Sequence, residues 1–328
     1  MEKIQLLEEC KDAKNIFISG HVRPDGDCIG SCLAMYLYLR KALPEAVVKV
    51  SLEEPSEVFR CIKGFDEIDG TYAVDGEVDV FIALDCEKSR LGEAEEIFAN
   101  ARKRINIDHH VSNERGCGDV NYIVPGSSST AELVYELFDR QYMDAEIAKA
   151  VYIGIVHDTG IFNYSNTSPK TLRAAAELIE YGFDFTEVID ETFYEKTYTQ
   201  NQLLGRALLE SIMFMGGKCI VSVIDKKTLD FYNASSKDLE GVINQLRITK
   251  GVECAIFMYE TGNLEYKVSL RSCKYVDVRK VAAFFGGGGH VRAAGCTING
   301  TFYDAINNIS KQIELQMKEY KEKNKKME

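Results

Sequence analysis

The stretch HVRPDGDCIGS, residues 21–31, places one imidazole and two carboxylates within the seven residues from His21 to Asp27. Three further segments repeat the theme. ALDC carries Asp85, INIDHH carries Asp108, His109 and His110, and GIVHDTG carries His157 and Asp158. The chain has five histidines, and four of them fall in these segments. Mixed imidazole and carboxylate groups are the ligands of divalent ions such as Mn²⁺, with Mg²⁺ or Co²⁺ as alternatives. Carboxylates packed together without counter-charge would raise one another's pKa values, and a pair of cations relieves that repulsion. Two such ions about 4 Å apart can clamp a phosphoryl group and generate hydroxide near neutral pH.

Each segment taken alone has an ordinary explanation. Asp25 and Asp27 suit a turn and a helix cap, and the hydroxyls of Ser128–Thr130, which could also face the site, are accounted for by N-capping. Asp85 is one acid at a strand end, and His157 reads as a helix-end histidine, with an added outer-sphere ligand as the alternative. Four such segments in chain order are not explained that way.

The elements around them decide where these side chains go. Residues 15–20, NIFISG, read as a buried strand, followed by a helix over CIGSCLAMYLYLRKAL. VVKVSL, VDVFIALD and RINID read as further strands, the second apolar on both faces as a central parallel strand is. His21, Asp85 and Asp108–His110 then follow strand carboxyl ends, where open parallel sheets bind ligands. Helices follow over SSSTAELVYELFDRQ, AEIAKAVYIGIVHD and SPKTLRAAAELIEYG, the last with Ser168 as N-cap, Pro169 at its first position and Gly182 near its end. Strand and helix alternation gives an α/β fold with a parallel sheet.

Residues 184–209 read as one long polar helix acting as a connector. Beyond it, KCIVSVI, VECAIFMYE and LEYKVSLRS read as strands, with ETGN as a hairpin turn. A helix, a glycine run and a closing helix from about Tyr303 complete a smaller α/β domain. The expected division is 1–185, a connector over 186–210, and 211–328.

Phe284–Cys296, FFGGGGHVRAAGC, opens backbone N–H groups to an anion, with His290 and Arg292 just after. Between Lys267 and Arg292, Lys267, Arg271, Lys274, Arg279, Lys280 and Arg292 stand against Asp277 alone, a reversal of sign in a chain of net charge −12. The pattern reads as a phosphate-recognition site, with a flexible loop beside a solvated basic helix as the alternative for the run by itself. It is not a dinucleotide fingerprint, which belongs in the first βαβ unit.

At 328 residues the chain exceeds one ordinary core and suits two domains. The net charge argues against a protein that coats long DNA or RNA. No apolar run reaches the roughly eighteen residues a membrane span needs, and the charged N-terminus lacks a signal-peptide apolar block. A cytoplasmic location is expected. Ten cysteines without a CxxC pair read as reduced, small buried hydrophobes rather than a zinc site. KEYKEKNKKME at the C-terminus reads as a frayed, solvated helix end.

HVRPDGDCIGS, ALDC, DHH and GIVHDTG, in this order, resemble the four motifs of the DHH phosphoesterases. GGGGHVRAAG resembles the signature of their DHH-associated C-terminal domain. The likeness spans nearly the whole chain, and its layout is most similar to the nanoRNase and pAp phosphatase group. The resemblance implies an N-terminal parallel-sheet DHH domain, a smaller substrate-binding domain and an active site in the cleft between them. It implies His21 and Asp25 on one metal, Asp27, His109 and Asp158 on the other, and Asp85 bridging both. His110 would touch the scissile phosphate or leaving group, with Asp108 orienting a neighbouring histidine. Arg271, Ser272, His290 and Arg292, with the backbone of Gly287, Gly288 and Gly289, would hold the substrate end.

The implied activity is metal-dependent hydrolysis of very short oligoribonucleotides to mononucleotides, of pAp to AMP, or of both. Linear pApA, cyclic dinucleotides and small phosphoanhydrides are the alternative substrates. The expected cofactor is two divalent cations, Mn²⁺ first. The expected partners are a short RNA or nucleotide, not long DNA or a membrane, with a homodimer as one assembly left open.

Overall fold

The computed structural model describes residues 3–325. The chain divides into two compact units, the first ending at Glu195 and the second beginning at Lys196.

The first unit runs α1 (Leu6–Cys10), β1 (Asn15–Ser19), α2 (Gly26–Ala42), β2 (Val47–Val50), β3 (Val80–Leu84) and α3 (Ala94–Asn100). It continues through β4 (Lys103–Asp108), β5 (Val120–Ile123), α4 (Thr130–Leu137), α5 (Ala145–Asp158), α6 (Pro169–Ile179) and α7 (Phe185–Ile189). Its sheet has the order β2-β1-β3-β4-β5, and every pairing is parallel. The edge strand β5 has no counterpart in the sequence reading.

β3 is buried at every position because both faces are covered. Val80, Ile82 and Leu84 pack into the larger core with residues of α2, α4 and α5. Phe81 and Ala83 face the other way, onto Phe17 and Phe98. Each such ring contributes about 2–3 kcal/mol by leaving water.

α2 is buried from Gly26 through Tyr36, so this stretch is covered on every side rather than on one face, with Asp27 and Ser31 among the buried residues. It lies close against α5, because a methyl group at Gly30 would stand 2.6 Å from the Ala150 carbonyl oxygen. α6 begins as expected, with Ser168 and Thr171 forming a capping box and Pro169 at its first position.

The strand order reverses direction between β1 and β3, and ligands of open α/β sheets bind outside the strand carboxyl ends at such a switch. His21 follows β1 and Asp85 follows β3, one on each side of it.

The second unit contains α8 (Tyr198–Leu209), β6 (Ile212–Phe214), β7 (Cys219–Ile224), α9 (Lys226–Phe231), α10 (Val242–Arg247) and β8 (Cys254–Gly262). Then come β9 (Glu265–Ser272), α11 (Val278–Phe284), β10 (Gly288–Gly289), β11 (Ala293–Asn299) and α12 (Phe302–Lys325). The sheet order is β10-β11-β9-β8-β7-β6, antiparallel except for β7 on β8. β8 and β9 form the hairpin expected at ETGN. Val278, Val281, Ile309 and Ile313 share one core, and Leu203, Val242 and Leu246 another. The C-terminal stretch is helical through Lys325, and its last three residues lie outside the described range.

The single long helix expected over residues 184–209 is a correction. α7 widens into a π-helical turn over Asp190–Tyr194, and the backbone turns extended at Glu195. α8 then starts afresh, with Thr197 and Gln200 forming a reciprocal capping box. That T-x-x-Q signal stood in the sequence and marks a new helix start. No described helix is long and apolar enough to cross a membrane.

Candidate functional site

β1 delivers His21 to the carboxyl edge of the sheet. Its Nδ1 lies 2.9 Å from the Val22 carbonyl oxygen. That contact turns Nε2 toward Asp85 Oδ2 at 3.4 Å and Asp25 Oδ1 at 3.6 Å. Asp25 is exposed and caps α2, its Oδ1 accepting from the N–H groups of Asp27 and Cys28, each at 3.1 Å. One turn into α2, the Asp27 carboxylate is 2% exposed. It accepts from the Thr130 N–H at 2.7 Å and the Ala131 N–H at 2.9 Å, both at the start of α4.

Asp85 sits at the end of β3 with φ +61°. A non-glycine residue in that left-handed region costs on the order of 1 kcal/mol and is found where function demands a side-chain direction. Here the direction is inward. Asp85 is 1% exposed, and its Oδ1 accepts from the Thr130 hydroxyl at 3.0 Å.

β4 delivers the DHH triplet. His109 Nε2 lies 3.6 Å from Asp85 Oδ1, 3.6 Å from Asp158 Oδ2 and 3.8 Å from Asp27 Oδ2. His110 Nδ1 donates to Asp108 Oδ1 at 2.8 Å, and the Asp108 oxygens also accept from the His110 N–H and from Asn113 Nδ2. The Asp108 hydrogen bond, more than any other influence, raises the pKa of His110 and favours its charged form. Asp158, at the end of α5, accepts from Asn166 Nδ2 at 3.1 Å.

Among the described residues, three groups of side chains bring ligand atoms within 4.8 Å of one another: Asp27–His109–Asp158, Asp85–His109–His110 and His21–Cys28–Asp85. Asp25 stands outside these triplets but within reach of His21 Nε2. His157 takes no part in them. Its Nε2 lies 3.0 Å from Thr192 Oγ1, and its ring packs edge-on to Phe59 and Phe193. Burial holds its pKa down to about 4.

The charges are out of balance. Within the first unit, the ionic partners of Asp27, Asp85 and Asp158 are histidines. Burial pushes the Asp27 carboxyl well up, and Asp85, Asp158 and Asp25 add to it. Asp158 rises to about 6, from burial first, with Asp85 and Asp25 working against the relief that His109 gives. At His21 burial disfavours the imidazolium, yet Asp25 and Asp85 outweigh it and raise the pKa to about 11. The cluster draws in positive charge from whatever source is present. Acidic and imidazole groups so placed fit divalent metal ions.

Three contributors escape the sequence reading, and a fourth, Thr130, is assigned there to the cap rather than to the site. Thr130 was grouped with capping residues, yet Ser129 alone caps α4, while Thr130 faces Asp85. Asn113 and Asn166 orient Asp108 and Asp158 from loops, where asparagine carries no distinctive signal. Cys28 was counted among ordinary buried thiols. All ten cysteines are free.

In the second unit, β9 and β11 bring Arg271 opposite Ala293, and the Ser272 N–H donates to the Arg292 carbonyl. His290, Arg292, Gly288 and Gly289 are exposed at the same edge, with β10 pairing onto β11. Ser272 is buried, and its hydroxyl donates to the Val276 carbonyl at 2.6 Å, so it braces the edge from beneath. The Arg292 guanidinium is fixed by the carbonyls of Lys274 and Val276. Gly287 and Gly289 have packing reasons to be glycine, since a Cβ would stand 2.2 Å from the Gly295 oxygen and 2.5 Å from the Ala293 oxygen. Gly288 faces open space.

Residues 15–155 match the family model described as "DHH family, N-terminal domain", and residues 216–319 match the "DHHA1 domain". The chain is 34% identical over 310 residues to the "Bifunctional oligoribonuclease and PAP phosphatase NrnA" of Thermus thermophilus, covering 92% of this chain and 90% of that protein. It is 29% identical over 325 residues to the protein of the same name from Bacillus subtilis, covering 97% and 99%. Among solved structures, an exopolyphosphatase-related protein from Bacteroides fragilis superposes with a TM-score of 0.83 at 26% identity, covering 94% of each chain.

Proposed function

This chain belongs to the DHH family of phosphoesterases, with a DHHA1 domain, and on that premise we propose that it hydrolyses very short oligoribonucleotides to mononucleotides and pAp to AMP. The names of its relatives support this substrate class. The observation that carries the reading is the two-sided Asp85 carboxylate: Oδ2 faces His21 at 3.4 Å, and Oδ1 faces His109 at 3.6 Å. A carboxylate aimed both ways suits a bridge between two cations, with His21 and Asp25 on one side and Asp27, His109 and Asp158 on the other. Mn²⁺ is the ion proposed, from the nitrogen and oxygen ligands.

When bound, such ions supply Lewis acidity and neutralise phosphoryl charge. The protein does the rest. Asp108 holds His110 by Nδ1, which leaves Nε2 to present a proton to a phosphoryl or leaving oxygen. Asp27 and Asp85 are locked by the start of α4, so little reorganisation is needed as charge develops. Arg271, His290, Arg292 and the backbone of Gly287–Gly289 are proposed to bind the substrate end, and Ser272 to support them.

The test is a side-by-side assay of pAp, dinucleotide to pentanucleotide RNAs, linear pApA and pyrophosphate, each with Mn²⁺ and with chelator. Turnover of pAp and the short RNAs, abolished by chelator, is the expected result. Turnover of pyrophosphate alone would overturn the substrate assignment.

A further inference from the structure

The His21 side of the site holds a sulfur that the metal reading above does not use. Cys28 lies on the first turn of α2, fully buried, with Sγ within 4.8 Å of a His21 ring nitrogen and an Asp85 carboxylate oxygen. The space it occupies exists because residue 20 is glycine: a Cβ there would stand 2.2 Å from Cys28 Sγ. His21 Nδ1 is committed to the Val22 carbonyl, so Nε2 is the nitrogen left for a cation. Across the site, Asp27, His109 and Asp158 offer only nitrogen and oxygen.

We propose that Cys28 is a protein ligand, together with His21 and Asp85, of one of the two cations, and that it makes the halves of the site unequal in metal preference. This inference rests on the two-cation reading above. A nitrogen, oxygen and sulfur donor set selects borderline-soft ions such as Zn²⁺, Co²⁺ and Fe²⁺ over Mn²⁺ and Mg²⁺. The other half keeps the harder preference. As the metal–sulfur bond forms, the thiol proton leaves to solvent.

Cobalt alone is the probe. Full-length protein, stripped with chelator and handled without oxygen, is titrated with Co²⁺ while bound metal is counted by equilibrium dialysis. The expected result is a thiolate-to-cobalt charge-transfer band in the near ultraviolet that saturates at one thiolate per chain. Cys28→Ser and Cys28→Ala lose the band and still bind cobalt at the other half. Cys32→Ser, one turn further along α2, keeps it. Zn²⁺ affinity falls at least about tenfold in Cys28→Ser, the low end of what losing even a supporting partner costs, while Mn²⁺ affinity changes less. Cobalt bound at both halves of the wild-type protein without a charge-transfer band overturns the thiol ligand and leaves the metal reading standing. A band that survives in Cys28→Ser does the same. No stoichiometric cobalt uptake by the wild-type protein overturns both.

Discussion

Replacing Gly30 with alanine tests whether the close approach of α2 and α5 sets the geometry of the proposed metal ligands. The added Cβ would stand 2.6 Å from the Ala150 oxygen, 2.8 Å from the Gly154 nitrogen and 3.0 Å from the Gly154 Cα. All three are backbone atoms of one helix, so no side chain can swing aside. Restoring the ordinary contact of about 3.4 Å requires the helices to part by roughly 0.8 Å. Overpacking of this kind costs about 1–3 kcal/mol. Alanine's better helix propensity returns about 1 kcal/mol, leaving a net loss of about 0–2 kcal/mol. Asp27 rides on α2 and Asp158 on α5, so the same movement opens the Asp27–His109–Asp158 triplet. Mn²⁺ affinity is expected to fall at least about tenfold, equivalent to about 1.4 kcal/mol. Urea unfolding in chelator isolates the packing cost from stabilisation by bound metal, and calorimetric titration with Mn²⁺ reads the second effect. A Gly30→Ala protein about 1 kcal/mol more stable than wild type, with unchanged Mn²⁺ affinity, would refute the reasoning.

Asp108→Asn keeps the volume but removes the charge that orients His110, so turnover of pAp should drop about 10–100-fold with Mn²⁺ binding nearly intact. Steady-state kinetics alongside metal titration would separate this from loss of the metals. His157 makes acid stability pH-dependent. Its folded pKa is depressed to about 4 from 6.5, so the unfolded chain takes up the proton first as pH falls. The stability present above about pH 6.5 is lost progressively toward pH 4, by an amount on the order of 3 kcal/mol. Unfolding midpoints of His157→Gln should fall less steeply than wild type across that window, and parallel curves would contradict the assignment.

What the sequence made legible followed from periodicity and position. VFIAL reads as a doubly covered strand because both of its faces are apolar, and an acid directly after it can only lie at the strand end. The same logic placed His21 and the DHH triplet. Thr130 was not legible, because SSST offers several hydroxyls with equal claim to the cap and only packing decides which one turns inward. Asn113 and Asn166 act from irregular loops without a repeat to announce them. Cys28 was hidden by the general truth that small thiols are usually filler. The break before α8 was legible in Thr197–Gln200 but was overridden by the polar continuity around it.

The Asp27 carboxylate is both a proposed metal ligand and the acceptor for the first N–H groups of α4. Those N–H groups and the helix dipole favour the anion there, only partly offsetting the burial and the neighbouring acids that disfavour it. The consequence is one of timing. Asp27 reaches its native setting only once a helix more than a hundred residues later in the chain has docked. A nascent polypeptide therefore carries no finished trap for stray cations. On the two-cation reading proposed above, loading would wait for the tertiary structure, and the ion would be chosen by a rigid cage rather than by a loose chain that wraps around whichever metal arrives first.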